Sequence, residues 1–514
     1  MIKEKKQTDI AALLLTVYSS IVWLIFASEY LESMAIIIFI SVMSYLCVGF
    51  FLKKIRSFDD VSPKYLDKQK KIIIFASASL IVFLIMMIWF WAALPGSFSV
   101  DSINQYTQAY TGRYVDWHPV WHTFVFFTLP LKIFGTASSI VFLQILYFVF
   151  VMGYLTLTIA ELWNVKAAAL SVSYIILNPY TCFIMLYPWK DVAFAIGGLF
   201  CTIMSIRLVK FKNTNKLWKL IILGIFLAFT TLFRHNAILY TAPLVIFIAF
   251  NTKKDTWLKI LSSFVIVLVL IKGPVYSALG VTTPGSRVLE VAGLPLTIIG
   301  NVVVETPNKM DDELSDFAYS MATKEERNEY YSCGSFNNIK WCGIADTSVV
   351  EKQGYIGMFK LMLKCFKLSP SASLEALFKC TNLVYGFEDG NKGYVKLSIY
   401  YNEYGIERSE KASDICNGFI NTYYNFINES MFKYFATYGI AIFVMMLLVL
   451  GKLKFNSWES WKKAFLIIPI LCYDFGTMLL LTTYADSRFF FITFLVTPLI
   501  VVYAYSKWYH VSDE

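Results

Sequence analysis

The stretch Val120–Gly135, VWHTFVFFTLPLKIFG, decides how the chain is threaded. It is apolar and aromatic, yet it carries His122 and Thr123 near its start and Lys132 near its end. Counted as a membrane span, it would put the basic run Arg207, Lys210, Lys212, Lys216 and Lys219 on the same side as sparsely charged connections. Laid flat on the outer surface as an interfacial helix with an aromatic face, it lets every dense basic cluster fall on one side. Those clusters are Lys53, Lys54, Arg56, Lys64, Lys68, Lys70 and Lys71; the 207–219 set; and Lys452, Lys454, Lys462 and Lys463. The short opposite connections hold only Arg113, Lys132, Lys190, Arg234 and Arg488. This is the positive-inside bias, with both termini cytoplasmic.

Composition sets the class within which that choice is made. The 514 residues are 57% hydrophobic and 16% charged, against about 45–50% and about 25% in soluble domains. Apolar runs near 10–28, 33–52, 72–94, 138–160, 165–178, 192–208, 219–233, 237–250, 258–277, 434–451, 464–483 and 489–506 approach the ~20 residues a spanning helix needs. The expected fold is an all-α polytopic membrane protein of about 12 transmembrane helices. Four regions follow: a two-helix extension at 1–71, a membrane core at 72–278 with an outer loop at 95–137, an extracytoplasmic domain at 279–433, and a three-helix segment at 434–514.

The net charge of +9 is spread over short connections and faces anionic lipid, which argues against a nucleic-acid partner. Nine cysteines show no CxxC pair or zinc spacing. Cys333 with Cys342, and Cys380 with Cys416, are candidate bridges on an oxidising face, with buried thiols as the alternative for the second pair. Nucleotide-binding glycine loops, HExxH and GxSxG are absent from the sequence.

What remains is a set of ionisable residues at the outer ends of spans, where charge is costly. The first group is Asp101, Gln105, Tyr106, Arg113, Asp116, His118 and His122. Asp101 follows a Pro-Gly turn and is suited to accept a proton at headgroup level, or else it or Ser99 caps a short helix. His118 and His122 are either a two-histidine metal site or interfacial side chains satisfied by water. The second group is Tyr187-Pro188-Trp189-Lys190-Asp191, the third Phe233-Arg234-His235-Asn236, the fourth Tyr484-Ala485-Asp486-Ser487-Arg488-Phe489. Arg234 sits on the side that the positive-inside rule leaves poor in cations. It suits a phosphate, a headgroup or a carboxylate such as Asp191.

Asp101, Gln105-Tyr106, Gly112, Trp117-His118-Pro119-Val120 and Leu131 to Gly135 stand in an order that resembles the GT-C superfamily of integral-membrane glycosyltransferases. Leu177-Asn178-Pro179-Tyr180, Tyr187 to Asp191, Thr231 to Leu239 and Ser487-Arg488-Phe489-Phe490 continue the resemblance. The chain is also similar to a group of such proteins in Gram-positive bacteria with DS-x-x-Q-Y, W/H-H-P and KD patterns. The resemblance covers roughly 72–250 and 464–506. It differs in having two earlier spans and in placing Ser102, not a second acid, after Asp101.

The resemblance implies transfer of a sugar from a polyprenyl-phosphate donor to an extracytoplasmic glycan or glycolipid, by inverting displacement at the outer face of the cell membrane. Asp101 is then the catalytic base. Arg234, Arg488 and Lys190 hold the donor phosphate, with Asp116, His118, Tyr106, Asp191 and His235 in support. No cofactor is expected and no metal ligand is assigned, a divalent cation remaining open. The alternatives are a polymerase or ligase using diphosphate-linked glycans, a lipid-linked glycan flippase or transporter, and a scaffold without catalysis.

Overall fold

The computed structural model describes residues 2–26, 34–211, 216–284, 288–326, 346–387, 397–454, 456–480 and 487–507. Those residues are all-helical, with three isolated single-residue β-bridges and no strand. The chain divides into two compact units: 1–283 with 387–473 and 488–514, and 284–386 with 474–487. The stretch 397–433, expected within the outer domain, belongs to the first unit.

In the first unit the order begins with α1 (Ile2–Phe26), α2 (Met34–Ser57), α3 (Lys68–Ala92) and α4 (Val100–Thr111). It continues through α5 (Val120–Phe134), α6 (Ala137–Leu162), α7 (Val165–Ile176), α8 (Lys190–Lys210), α9 (Leu217–Leu232), α10 (Ile238–Asn251) and α11 (Lys254–Ala278). The second unit holds α12 (Gly293–Glu305), α13 (Asp312–Met321), α14 (Ser348–Leu368) and α15 (Pro370–Tyr385). Then follow α16 (Glu410–Asn428), α17 (Tyr438–Lys452), α18 (Trp458–Leu480) and α19 (Arg488–Tyr505).

Seven helices among the described residues are long and apolar enough to cross a bilayer: α2, α3, α6, α8, α11, α18 and α19. The other five expected spans fall in helices whose apolar stretches are shorter, at Ala11–Ile25, α7, α9, α10 and α17. The segment Val120–Phe134 is helical too, with a wide π-turn over Thr123–Thr128. It has fewer than the ~20 residues a span needs. His122, Phe126 and Phe127 on it are buried, while Ile133 and Phe134 are exposed.

Helix α8 is the centre of the membrane unit. It is buried along nearly its whole length and packs on α6, α9, α10 and α19. Gly197 lets α9 come this close: a Cβ there would lie 2.5 Å from Thr230 Oγ1 and 3.3 Å from the Thr230 Cβ. By contrast α2 and α3 turn most of their apolar side chains outward, as expected of lipid-facing helices, where burial in protein brings no hydrophobic gain. At one end of the bundle, buried Glu161 at the close of α6 accepts from Arg207 of α8 at 2.6 Å and pairs with Lys71 of α3 at 3.1 Å. At the other end lies the loop 93–99. Its Gly96 has φ +117°, and a Cβ would overlap Val141 Cγ2 at 2.5 Å, so the turn requires glycine. Arg408 donates to the carbonyls of Ala93, Leu94 and Gly96 at 2.8–3.3 Å and holds the same loop.

The second unit has its own core. The apolar helix α12 is buried against α14 and α15, with Leu296, Ile299, Val303, Leu361 and Ala376 among its core residues. Asn301 Nδ2 donates to the Ala372 carbonyl at 2.8 Å. Cys333 and Cys342 lie outside the described residues. Cys380 and Cys416 are buried and not joined by a disulfide, so the bridge considered for them is absent.

Candidate functional site

Four helix termini converge on one cluster of charge. Helix α4 begins at Ser99, whose Oγ accepts from the Ser102 backbone N–H. Ser99 therefore serves as the cap, and Asp101 in the first turn is left to point elsewhere. Its Oδ2 lies 3.1 Å from Arg488 Nη1, at the start of α19. Arg488 Nε lies 3.9 Å from Oδ2 of Asp191, in the first turn of α8. Asp191 Oδ1 accepts from Arg234 Nη1, just past the end of α9. Asp191 does not cap its own helix: the preceding Trp189 makes no side-chain cap, and the Asp191 carboxylate, with none of its side chain exposed, faces the two guanidiniums. The result is a continuous row Asp101–Arg488–Asp191–Arg234.

Aromatic rings fix both arginines. The Phe489 ring lies 4.5 Å from the Arg234 guanidinium and 5.1 Å from that of Arg488. Arg488 also lies 4.8 Å over Trp189, and Arg234 5.7 Å from Tyr473. Such contacts strengthen where water is excluded. Trp189 is itself held, stacking on Tyr187 at 4.2 Å and donating from Nε1 to Ser99 Oγ at 2.8 Å. Asn236 Oδ1 accepts from Arg234 Nε at 2.5 Å. Phe489, Trp189 and Asn236 were not singled out by sequence as positioning groups; each stands within two residues of a charge that was.

Lys190 supplies a third cation. Its Nζ donates to His118 Nδ1 at 3.0 Å, so His118 is neutral with its proton on Nε2. Burial first, and the Lys190 charge second, push the His118 imidazole down to about 3 despite the opposing pull of Asp101. Burial alone would raise the Asp101 carboxyl; the charges of Arg488 and Lys190 outweigh it and hold Asp101 below the ordinary carboxylate range. Three cations thus face two carboxylates, leaving one positive charge for an anion.

The other expected residues take different places. His235 donates to the Trp117 carbonyl at 3.3 Å and lies 4.0 Å from Asp116, forming a half-exposed rim. Tyr106 is five residues beyond Asp101, about 140° round the helix, and packs on Tyr110 and Tyr404 rather than on the charged row. His122 Nδ1 accepts from Gln105 Nε2 at 2.9 Å and is buried among Phe126, Phe127 and Phe233. His118 and His122 therefore bond to different partners and do not form a two-histidine site. Among the described residues no three His, Cys, Asp or Glu side chains gather as metal ligands.

Compared with protein-family models, with curated proteins and with solved structures, the chain gives no match.

Proposed function

We propose that this chain is a GT-C-like membrane glycosyltransferase of about twelve spans, moving a sugar from a polyprenyl-phosphate donor to a glycan or glycolipid hydroxyl. Both termini lie in the cytoplasm and the charged row faces the opposite side. The observation that carries the reading is the ion-pair row itself: a carboxylate beside an arginine, a second arginine behind it, and one cation in excess.

The donor phosphate takes Arg488 and Lys190, with Arg234 behind them. Arg488 is then shared between phosphate and Asp101, and the hold on the Asp101 carboxylate loosens. Its basicity rises only once donor is present. Asp101 accepts the proton of the acceptor hydroxyl as the acceptor oxygen bonds to the anomeric carbon. The bond from that carbon to the phosphate oxygen breaks with inversion, and the electron pair leaves with the polyprenyl phosphate. Negative charge grows on the leaving oxygen, so the cations stabilise the transition state more than the ground state.

The test is incubation of the purified protein with candidate polyprenyl-phosphate sugars and acceptors, with mass spectrometry of the lipid products. Asp101→Asn keeps the side-chain shape and is expected to lower transfer on the order of 10²–10⁴-fold. Undiminished transfer by a folded Asp101→Asn protein removes Asp101 as the base. Transfer from diphosphate-linked oligosaccharides alone replaces the proposed donor class.

A further inference from the structure

Helices α8 and α19 start at the charged row and run the length of the bundle. Their far ends, Lys210 and Tyr505, meet a second polar cluster. Twenty residues at ~1.5 Å each separate Lys190 from Lys210, about 30 Å, the thickness of a bilayer core. The two clusters therefore lie at opposite membrane faces.

At this far end a cavity of about 170 Å³ is lined by Lys452, Lys454, Lys463, Lys507, Asp60 and Glu459. Lys452 and Lys463, each only 13% exposed, share the single carboxylate of Asp60 at 3.1 and 3.3 Å. Lys463 also donates to the Ser506 carbonyl at 2.5 Å. Buried Lys210 donates to the Lys507 carbonyl at 2.8 Å, bringing a fifth ammonium alongside. Glu459, the second carboxylate of the lining, is shared with Lys462 at 3.1 Å. Lys454 and Lys507 are exposed and form no ion pair among the described residues.

Five lysines gathered around two carboxylates, one of them shared with a sixth lysine, Lys462, repel one another, and three of the five are largely withdrawn from water. Such an arrangement is costly unless an anion completes it. Depth narrows the choice of anion. Trp458, 54% exposed, stands at the start of α18 against Phe250 and Phe465, an aromatic arrangement typical of the headgroup level. We infer that this cavity binds a phosphate anion, supplied by the headgroup of an anionic membrane lipid. The site is separate from the charged row and does not depend on any reaction there.

The test uses the full-length protein, delipidated in detergent. Native mass spectrometry follows binding of phosphatidylglycerol and phosphatidylcholine, and calorimetry follows inorganic phosphate. The variant is Lys454→Ser with Lys507→Ser, two side chains in no ion pair among the described residues, and Lys253→Ser, exposed and outside the cavity lining, is the control. Size-exclusion profile and thermal melting check that each is folded. Phosphatidylglycerol is expected to bind in preference to phosphatidylcholine, and about 30-fold more weakly to the double variant, at roughly fivefold per lysine near a membrane surface. The control is expected to bind as the wild type does. Binding of inorganic phosphate without lipid selectivity, lost in the double variant, upholds the anion site but overturns the lipid source. Equal binding of both lipids with no phosphate binding, or an unchanged double variant, overturns the site.

Discussion

Replacing Arg488 with Gln removes the cation that joins Asp101 to Asp191. The charge balance of the row changes from three cations and two carboxylates to two and two. Unit charges 3.1 Å apart attract by about 5 kcal/mol at an effective dielectric of ~20. The Arg488 side chain is 17% exposed and Asp101 32%, so solvent screening reduces the net coupling to about 1–3 kcal/mol. The assay is a double-mutant cycle of Arg488→Gln and Asp101→Asn, read as unfolding free energy in detergent. Arg488→Gln alone is expected to destabilise the protein, because Asp191 keeps only Arg234. Adding Asp101→Asn is expected to cost less than it does in the wild type, by the coupling energy. In the transfer assay Arg488→Gln is expected to lose about 10²–10³-fold, the usual effect of removing one preorganised charge partner. Strictly additive stabilities across the cycle would refute the pairing from which the proposed activity is argued.

Three further outcomes can be measured. Glu161→Ala leaves Arg207 and Lys71 without their shared buried carboxylate and is expected to cost about 3–5 kcal/mol of stability; urea or thermal unfolding reads it. Gly96→Ala places a methyl group against Val141 and a side chain at φ +117°, and is expected to cost about 1–3 kcal/mol; Val141→Ala in the same chain should recover only the steric part. His118 is buried and neutral, its folded value about 3 against an ordinary 6.5. Because the unfolded chain binds the proton more readily, the stability His118 contributes is fully present above about pH 6.5 and is lost as pH falls towards about 3. Comparing unfolding of the wild type and His118→Gln at pH 5 and pH 7 checks that sign.

Much of the site was legible because ionisable groups in apolar sequence are conspicuous. Asp101, Lys190, Asp191, Arg234 and Arg488 each stand at a helix end beside a long apolar run, and the structure brings all five together. The pairing of Arg234 with Asp191 was one of the options chemistry allowed from sequence. The choice between Ser99 and Asp101 as cap was not legible, since both residue types do that work; geometry gives it to Ser99. Tyr106 was misplaced because order along a helix was read without angle around it. The wide turn at Thr123–Thr128 escaped the apolar pattern, as did the aromatic supports of the arginines, which come from three separate segments. At the level of domains, the apolar run of α12 resembles a membrane segment in composition. Only its burial by α14 and α15 shows how it is satisfied.

Helix α8 is keyed at both tips: Asp191 and Lys190 engage partners at one, Arg207 and Lys210 at the other. A rod fastened twice cannot be lengthened by a single residue, since one insertion swings everything beyond it by about 100°. The helix thus acts as a gauge, matching the spacing of the two faces to a fixed number of peptide units.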